Sequence, residues 1–282
     1  MSKVKSLIDH CFDCIEILID HPDGMRLSDL CVRLGISKGA AHRLLANLTS
    51  LGFVEQDEKS SLYRPTLKLT ILGQKLLIST GVPDICQPVL DRLAVESQEF
   101  VRLTMISGGR LIFVAQSQGA KGGLMYVPRA DVDVPLHVTA NGKIWLSTLP
   151  KDDAVRIVLN NGFGRPNEFG PNAVRSIEAL MTRLEETRRH GFGVSDQETE
   201  HGVYAIAAAV GSKEGPVVGT VSVAGPSIRL TERKEQLATM VLAAARELAD
   251  VWPARFLGNA PIVIAGRPSC ASAPGPPMCV NR

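Results

Sequence analysis

The sequence predicts an α+β protein with an N-terminal winged helix-turn-helix, a linker helix and a C-terminal α/β domain with an antiparallel sheet. Residues 5–66 show three short helical patterns and then a strand-turn-strand pattern, which is the element order of a winged helix-turn-helix. From residue 82 onward, helical and strand patterns interleave, as is typical of one compact α/β domain. At 282 residues, the chain is long enough for two domains that each bury a core.

The N-terminal elements are predicted from the spacing of apolar residues and from capping and turn residues. Residues 5–20 place apolar side chains three and four positions apart, which predicts an amphipathic helix ended by "HPDG". Ser28 is expected to cap a second helix that ends at Gly35. Ser37 is expected to cap a third helix containing "AHRLLANL". "FVEQ" and "LYRPT" flank a polar turn and predict a β-hairpin.

The rest of the chain contains a linker helix and a second domain. Leucines between Leu67 and Leu77 predict the linker helix, and "GVPD" marks the boundary after it. "EFVRLTMISGGRLIFVAQSQ" predicts a β-hairpin, "YAIAAAV" and "VVGTVSVAG" predict strands, and Thr231 is expected to cap a long last helix. The predicted regions are a winged helix at 1–65, a linker at 66–81, a sensor domain at 82–252 and a disordered Pro/Ala/Gly/Ser-rich tail at 253–282.

Composition limits the partners and the compartment. The formal net charge is only +2, so nucleic-acid binding would need a local basic patch. The six cysteines show no disulfide or zinc spacing, and the first residues predict neither a signal peptide nor a membrane span, which favours a cytoplasmic protein. Cys11 and Cys14 form a C-x-x-C inside the first helix without a preceding strand, so no redox role is expected.

The third helix carries the chemistry expected of a helix that contacts DNA. Its predicted exposed face has no carboxylate and combines small residues with cations and hydrogen-bonding side chains, which suit phosphates and base edges. The predicted wing adds similar groups, although Asp57 and Glu58 oppose close approach. A buried helical hairpin is the alternative for this pattern taken alone. The predicted DNA-binding residues are Ser28, Ser37, Lys38, Gly39, His42, Arg43, Asn47, Lys59, Tyr63 and Arg64.

Several segments in order resemble the IclR family of bacterial transcriptional regulators. "LSDLCVRLGISKGAAHRLLANLTSLGFVEQ" at 27–56 is similar to the family's DNA-binding domain. "VPLHVTANGKIWLSTL", "RRHGFGVSDQETEHGVYAIAAAV" and "GTVSVAGPSIRLTE" are similar to its second domain. The resemblance extends from residue 5 to about residue 250. It implies a GAF-like sensor domain that binds a small organic molecule, double-stranded operator DNA as partner, and a homodimer or homotetramer.

The resemblance also implies an effector pocket. In "GTVSVAG", strand alternation places Thr220, Ser222 and Ala224 on one small, partly polar face. Thr139 or Asn141 is expected to cap a helix whose first amides face a carboxylate. Because Ala224 stands where family members can carry serine, we expect an aromatic or hydroxylated carboxylic acid instead of a small keto acid. The predicted effector-binding residues are Tyr126, Thr139, Ala140, Asn141, Ser195, Asp196, Val203, Ala205, Ser222 and Ala224.

Other functions are weighed against this hypothesis. Without the resemblance, Thr139 and Ser222 are interpreted as packed core positions. An enzyme with a helical oligomerisation domain would need a nucleophile, base or metal set, and the sequence assembles none, so neither a cofactor nor a metal is expected. The acids of "SDQETEHG" are interpreted as solvated, and His137 as a structural hydrogen-bonding residue. A sensory module that binds protein partners instead of DNA is a third hypothesis.

Overall fold

The computed structural model describes residues 5–128, 134–165, 167–211 and 215–253. The chain divides into two compact units, Met1–Ser79 and Thr80–Arg282, and each is described by itself. Helices and an antiparallel sheet combine as the sequence predicts, so the fold class is confirmed. The predicted tail lies outside the described residues from position 254 onward. Within the described ranges, the helices are too short or too polar to cross a membrane.

The first unit contains three helices, a two-stranded antiparallel sheet and most of a fourth helix. The leucines of the three helices form its core, with Leu18, Leu30 and Leu45 fully buried. Met25 bridges to Tyr63 and so connects the segment before the second helix to the second strand. The elements are α1 (Leu7–Ile19), α2 (Leu27–Leu34), α3 (Lys38–Ser50), β1 (Val54–Gln56), β2 (Tyr63–Pro65) and α4 (Lys68–Thr80).

Local sequence explains where these helices begin and end. The Ser37 hydroxyl caps α3 by accepting a hydrogen bond from the Ala40 amide at 3.3 Å, as predicted. Gly35 ends α2 with φ of 65°, a conformation that glycine adopts without strain. The expected Ser28 cap is wrong, because α2 begins at Leu27 after Arg26. A capping side chain must precede the first helical residue, and Ser28 already lies inside the first turn.

The second unit is built on a five-stranded antiparallel sheet with strand order β4-β3-β7-β6-β5. Gly108 and Gly109, both at positive φ, form the two-residue turn of the predicted β3–β4 hairpin. Its elements are α5 (Val82–Ser97), β3 (Phe100–Ser107), β4 (Arg110–Gln118), α6 (Ala140–Thr148), α7 (Lys151–Asn161), α8 (Ile177–His190), β5 (Gly193–Asp196), β6 (Val203–Val210), β7 (Gly219–Pro226), α9 (Ser227–Leu230), a 3-10 turn (Thr231–Arg233) and α10 (Lys234–Val251).

The two faces of this sheet carry different helices. Ala205, Ala207 and Ala209 of β6 pack against α6, so the intervening residues of β6 face the opposite side, where α10 contacts the strand. The expected Thr231 cap of α10 is wrong. The helix begins at Lys234 after Arg233, and the Thr231 hydroxyl instead donates to the Ser227 carbonyl at 2.8 Å. The α9 turn therefore engages Thr231 before α10 begins.

Candidate functional site

The exposed face of α3 collects cationic, small and amide side chains. Its apolar residues, Leu44 and Leu45 among them, are buried in the core of the first unit. The opposite face is exposed, and a Cβ on Gly39 would meet no atom within 4 Å. No packing contact therefore requires glycine there. Because Gly39 has no side chain, the helix backbone can approach a DNA groove closely at this position. The exposed residues include Lys38, Gly39, His42, Arg43 and Asn47.

The β1–β2 turn forms a compact wing. The Asp57 carboxylate accepts hydrogen bonds from the Ser60 amide at 2.6 Å, the Ser60 hydroxyl at 2.7 Å and the Lys59 amide at 3.1 Å. These bonds lower the pKa of Asp57. Asp57 thus holds the turn together, and the Lys59 side chain is exposed at its tip.

Three predicted DNA contacts have other partners in the structure. Tyr63 is only 7% exposed and belongs to the core of the first unit, so the structure contradicts its prediction as a DNA contact. Its position on β2 turns the ring inward. The Arg64 Nε donates to the Asp23 carbonyl at 3.1 Å. Ser28 is exposed, and its hydroxyl donates to the Asp29 carboxylate at 3.1 Å.

The second candidate site lies on the sheet face that α6 covers. Thr139 caps α6 by accepting from the Gly142 amide at 2.9 Å, as predicted. Asn141 donates to the Ser222 hydroxyl at 3.0 Å and accepts from the Thr220 hydroxyl at 2.8 Å. The hydroxyl oxygens of Thr220 and Thr104 lie 2.6 Å apart. The structure therefore brings Asn141 and Ser222 together, but in a buried layer where they bond to each other.

Next to this layer, the same sheet face combines buried and half-buried side chains. Ser195 is 1% exposed and donates to the Val138 carbonyl at 2.7 Å, and Ala140 is buried. Ala205 pairs with Ala224, which pairs with Phe100. Both alanines are half-buried, as are Val203 and Tyr126. The Tyr126 ring meets Phe100 edge-on at 6.1 Å between centroids, so small and aromatic side chains line one row.

Arg102 and Phe100 belong to this face, although the sequence analysis did not select them. Arg102 pairs with Ser222 across β3 and β7, which places both side chains on the same face. Its guanidinium carbon lies 4.1 Å from the Phe113 ring centroid and 5.2 Å from that of Phe100. An arginine within the alternating pattern of a predicted strand was the sequence feature that could have identified Arg102 as a site residue. Its neighbour Ser222, however, lies on a strand more than a hundred residues away.

Asp196 lies apart from the other predicted effector residues. It follows Ser195 on β5 and pairs with Tyr204, which is buried on the α10 side of the sheet. Strand alternation therefore directs the side chains of Ser195 and Asp196 to opposite faces. Asp196 borders a separate cavity of about 580 Å³.

A buried ion pair stands beside that cavity. The Lys143 ammonium and the Glu198 carboxylate are in contact, with side chains 1% and 6% exposed. Burial lowers the pKa of Lys143 and raises that of Glu198. The interpretation of the "SDQETEHG" acids as solvated is thus wrong for Glu198, because the α6 lysine draws it inward. Across the described ranges, the structure groups no three metal-ligating side chains.

His137 is held in an aromatic setting. Its ring lies 5.1 Å from the centroids of both Phe163 and Phe169, edge-on to each. The residue is buried, and this burial lowers its pKa to about 4. The ring is therefore neutral near neutral pH, which suits the structural role inferred for it.

Comparison with known proteins identifies the family. The IclR helix-turn-helix model matches residues 8–58, and the model for the C-terminal domain of bacterial IclR transcriptional regulators matches residues 74–250. The chain belongs to the IclR family. KdgR, an HTH-type transcriptional regulator of Dickeya chrysanthemi, is 28% identical to this IclR-family chain over 225 residues, which cover 79% of this chain and 72% of KdgR.

Solved structures share the fold. A candidate IclR regulator from Silicibacter sp. TM1040 aligns with a TM-score of 0.72 at 21% identity, covering 91% of this chain and 98% of that one. An IclR homologue from Microbacterium hydrocarbonoxydans, complexed with 4-hydroxybenzoate, aligns with a TM-score of 0.68 at 18% identity, covering 88% and 99%. The chain is thus a transcriptional regulator with a helix-turn-helix and an effector-binding domain, not an enzyme.

Proposed function

We propose that this IclR-family regulator binds operator DNA through α3 and the β1–β2 wing. The observation that carries the proposal is the exposed face of α3, where Lys38 and Arg43 flank Gly39 and His42 and no carboxylate intervenes. Cations there suit phosphates and guanine, and Asn47 suits adenine. Lys59 and Arg64 extend the basic surface along the wing. A purely structural helical hairpin would not require the exposed face of α3 to be free of acidic side chains.

We also propose that the second domain binds a carboxylic acid with an aromatic or hydroxylated body. Ala205, Ala224, Phe100 and Tyr126 form an apolar row on one sheet face, in which the alanines and Tyr126 are half-buried. Arg102 on the same face provides a guanidinium for a carboxylate, and the α6 N-terminus adds backbone amides of Ala140 and Asn141. The Microbacterium homologue of this fold carries 4-hydroxybenzoate, which is a ligand of this class.

The proposed regulator acts as a homodimer or homotetramer. Apolar side chains on α1 and α4 are exposed, a pattern that marks interaction surfaces. Paired winged helices would bind two half-sites of an operator, and the effector would change their spacing by favouring one arrangement. In this proposal residues 1–65 bind DNA, 66–81 link, and 82–252 sense the effector in the cytoplasm. The exposed side chains include Leu7, Ile8, Phe12, Ile71, Leu72 and Leu76.

Fluorescence anisotropy tests the DNA proposal. The purified full chain is titrated against the intergenic DNA upstream of its own gene and against a scrambled duplex, at several salt concentrations. We expect tight binding that prefers the native duplex and weakens steeply with salt. Equal, weak binding to both duplexes, with or without a broad panel of organic acids, would return the partner-binding hypothesis to consideration.

The same assay tests the effector proposal. Benzoate, 4-hydroxybenzoate and their uncharged amides are added to the protein–DNA complex. We expect at least one acid, and no amide, to change the operator Kd by roughly tenfold or more. In Arg102→Gln that response is lost while operator binding without acid is retained, and Arg246→Gln at an exposed position of α10 serves as the control. A full response in Arg102→Gln would remove Arg102 from the effector site.

A further inference from the structure

A polar cavity along the outer edge of β5 has no part in the proposed DNA or effector sites. It measures about 580 Å³ and is bounded by α8 on one side and by the start of α10 on the other. Its walls carry three cations and three anions, so their formal charges cancel. The charged wall residues are Lys143, Arg183, Lys234, Glu186, Asp196 and Glu198.

Each of two carboxylates on these walls has one buried oxygen without a hydrogen-bond donor among the described residues. Glu198 is 5% exposed, and its Oε1 pairs with Lys143 while its buried Oε2 accepts no hydrogen bond among the described residues. Asp196 Oδ1 is also shielded and accepts none there. A buried acceptor without a donor destabilises the folded state, and the cost is larger when the acceptor is charged. These two acids therefore leave acceptor capacity for donors that the described chain does not provide.

Cationic and aromatic side chains lie on the α10 side of the same cavity. Lys234 Nζ lies 5.7 Å from the centroid of the Phe192 ring, and Tyr204 borders the cavity next to its strand partner Asp196. Burial raises the pKa of Tyr204, and the nearby charge of Asp196 adds a smaller increase, to about 12. The cavity is thus lined by carboxylate acceptors, an ammonium group and aromatic rings.

We propose that this cavity binds a free α-amino acid. Its ammonium group would donate to Asp196 and Glu198, its carboxylate would face Lys234, and its side chain would lie against Phe192 and Tyr204. A zwitterion matches walls whose charges cancel, whereas a diamine or a dicarboxylate would leave one wall uncompensated. The site is distinct from the proposed effector row, because Asp196 faces away from Ser195. The regulator would then sense two ligands.

Isothermal titration calorimetry on the full chain tests this proposal. The probes are the individual proteinogenic L-amino acids and, for any that binds, the matching amine without the carboxylate and the matching acid without the amine. We expect saturable binding of at least one amino acid. Each truncated analogue is expected to bind at least roughly tenfold more weakly, since each lacks half of the charge pairing. This readout needs neither DNA nor the effector, so it is separable from the proposed function.

Variants locate the binding. Asp196→Asn and Lys234→Ala are each expected to weaken it roughly tenfold or more, while Asp152→Asn at an exposed position of α7 leaves it unchanged. Melting followed by circular dichroism verifies that each variant is folded. Should Asp196→Asn fail to fold, Lys234→Ala decides. The proposal is overturned if no amino acid binds at about 10 mM, or if binding persists undiminished in the folded variants.

Discussion

The exposed face of α3 and the covered face of the five-stranded sheet use polar residues in opposite ways. On α3, Lys38, Arg43 and Asn47 are exposed, and the fold of the first unit depends on the opposite, apolar face. On the sheet, Asn141 and Ser222 are buried and hydrogen-bonded to each other. Polar residues on the first face can therefore change without cost to the fold, whereas those on the second also hold α6 to the strands.

The comparison predicts which property a substitution changes. Substitution of an exposed side chain that contacts only DNA or a ligand changes the binding affinity and leaves the free energy of unfolding unchanged. A buried polar side chain alters stability first, because its partner loses a hydrogen bond or a counter-charge. The four substitutions below test this separation.

Lys143→Met is expected to have the largest effect. It leaves the Glu198 carboxylate buried without its counter-charge, so the free energy of unfolding should fall by about 3–5 kcal/mol. Urea denaturation measures the loss, and Lys151→Met at an exposed position of α7 is the control. Lys143→Met combined with Glu198→Gln should recover part of the loss. If the single variant is as stable as the wild type, the pair does not stabilise the second unit.

His137→Gln is expected to change the pH dependence of stability. The folded pKa of about 4 lies below the ordinary histidine value of 6.5, so between these pH values the unfolded chain binds a proton that the folded chain does not. The free energy of unfolding of the wild type therefore falls as pH drops through this window, by about 3 kcal/mol in all. Denaturation of both proteins from pH 7 to 4 should show this difference, which exposed His42→Gln should not reproduce.

Arg43→Ala is expected to weaken operator binding by about 1–3 kcal/mol without a change in thermal stability. Its side chain is exposed on α3, so its loss removes a DNA contact and no packing. Anisotropy at moderate salt measures the affinity, with Arg246→Ala on α10 as the matched control. Unchanged affinity would remove Arg43 from the interface and weaken the contrast between the two faces.

Gly39→Ala gives the smallest effect and the finest test. A Cβ at Gly39 would meet no atom within 4 Å, so alanine should stabilise α3 by about 0.5–1 kcal/mol through its higher helix propensity. Operator affinity should nevertheless fall, because the methyl group would occupy space needed for close approach to the groove. Gly73→Ala on α4 meets equally open space and is the control for the gain in helix stability. Equal affinities would show that α3 does not approach DNA through Gly39.

Local features predicted from the sequence were mostly right. The periodicity of Leu44, Leu45 and Leu48 fixed which face of α3 is buried, and Ser37 and Thr139 cap their helices as expected. These features depend on neighbours within four residues, which the sequence displays directly. The misplaced Ser28 and Thr231 caps were each errors of two residues, where nearby candidate positions compete.

The amino-acid sequence by itself determined the element types, the family and the cationic face of α3, because helical spacing and segregated charge are local properties. Only the tertiary structure decided that Tyr63 is in the core, that Glu198 is buried against Lys143, and that Arg102 lies beside Ser222. Those placements follow from strand register and helix docking between residues far apart in sequence. Register assigns each side chain to a face, and no local pattern specifies which distant partner it meets there.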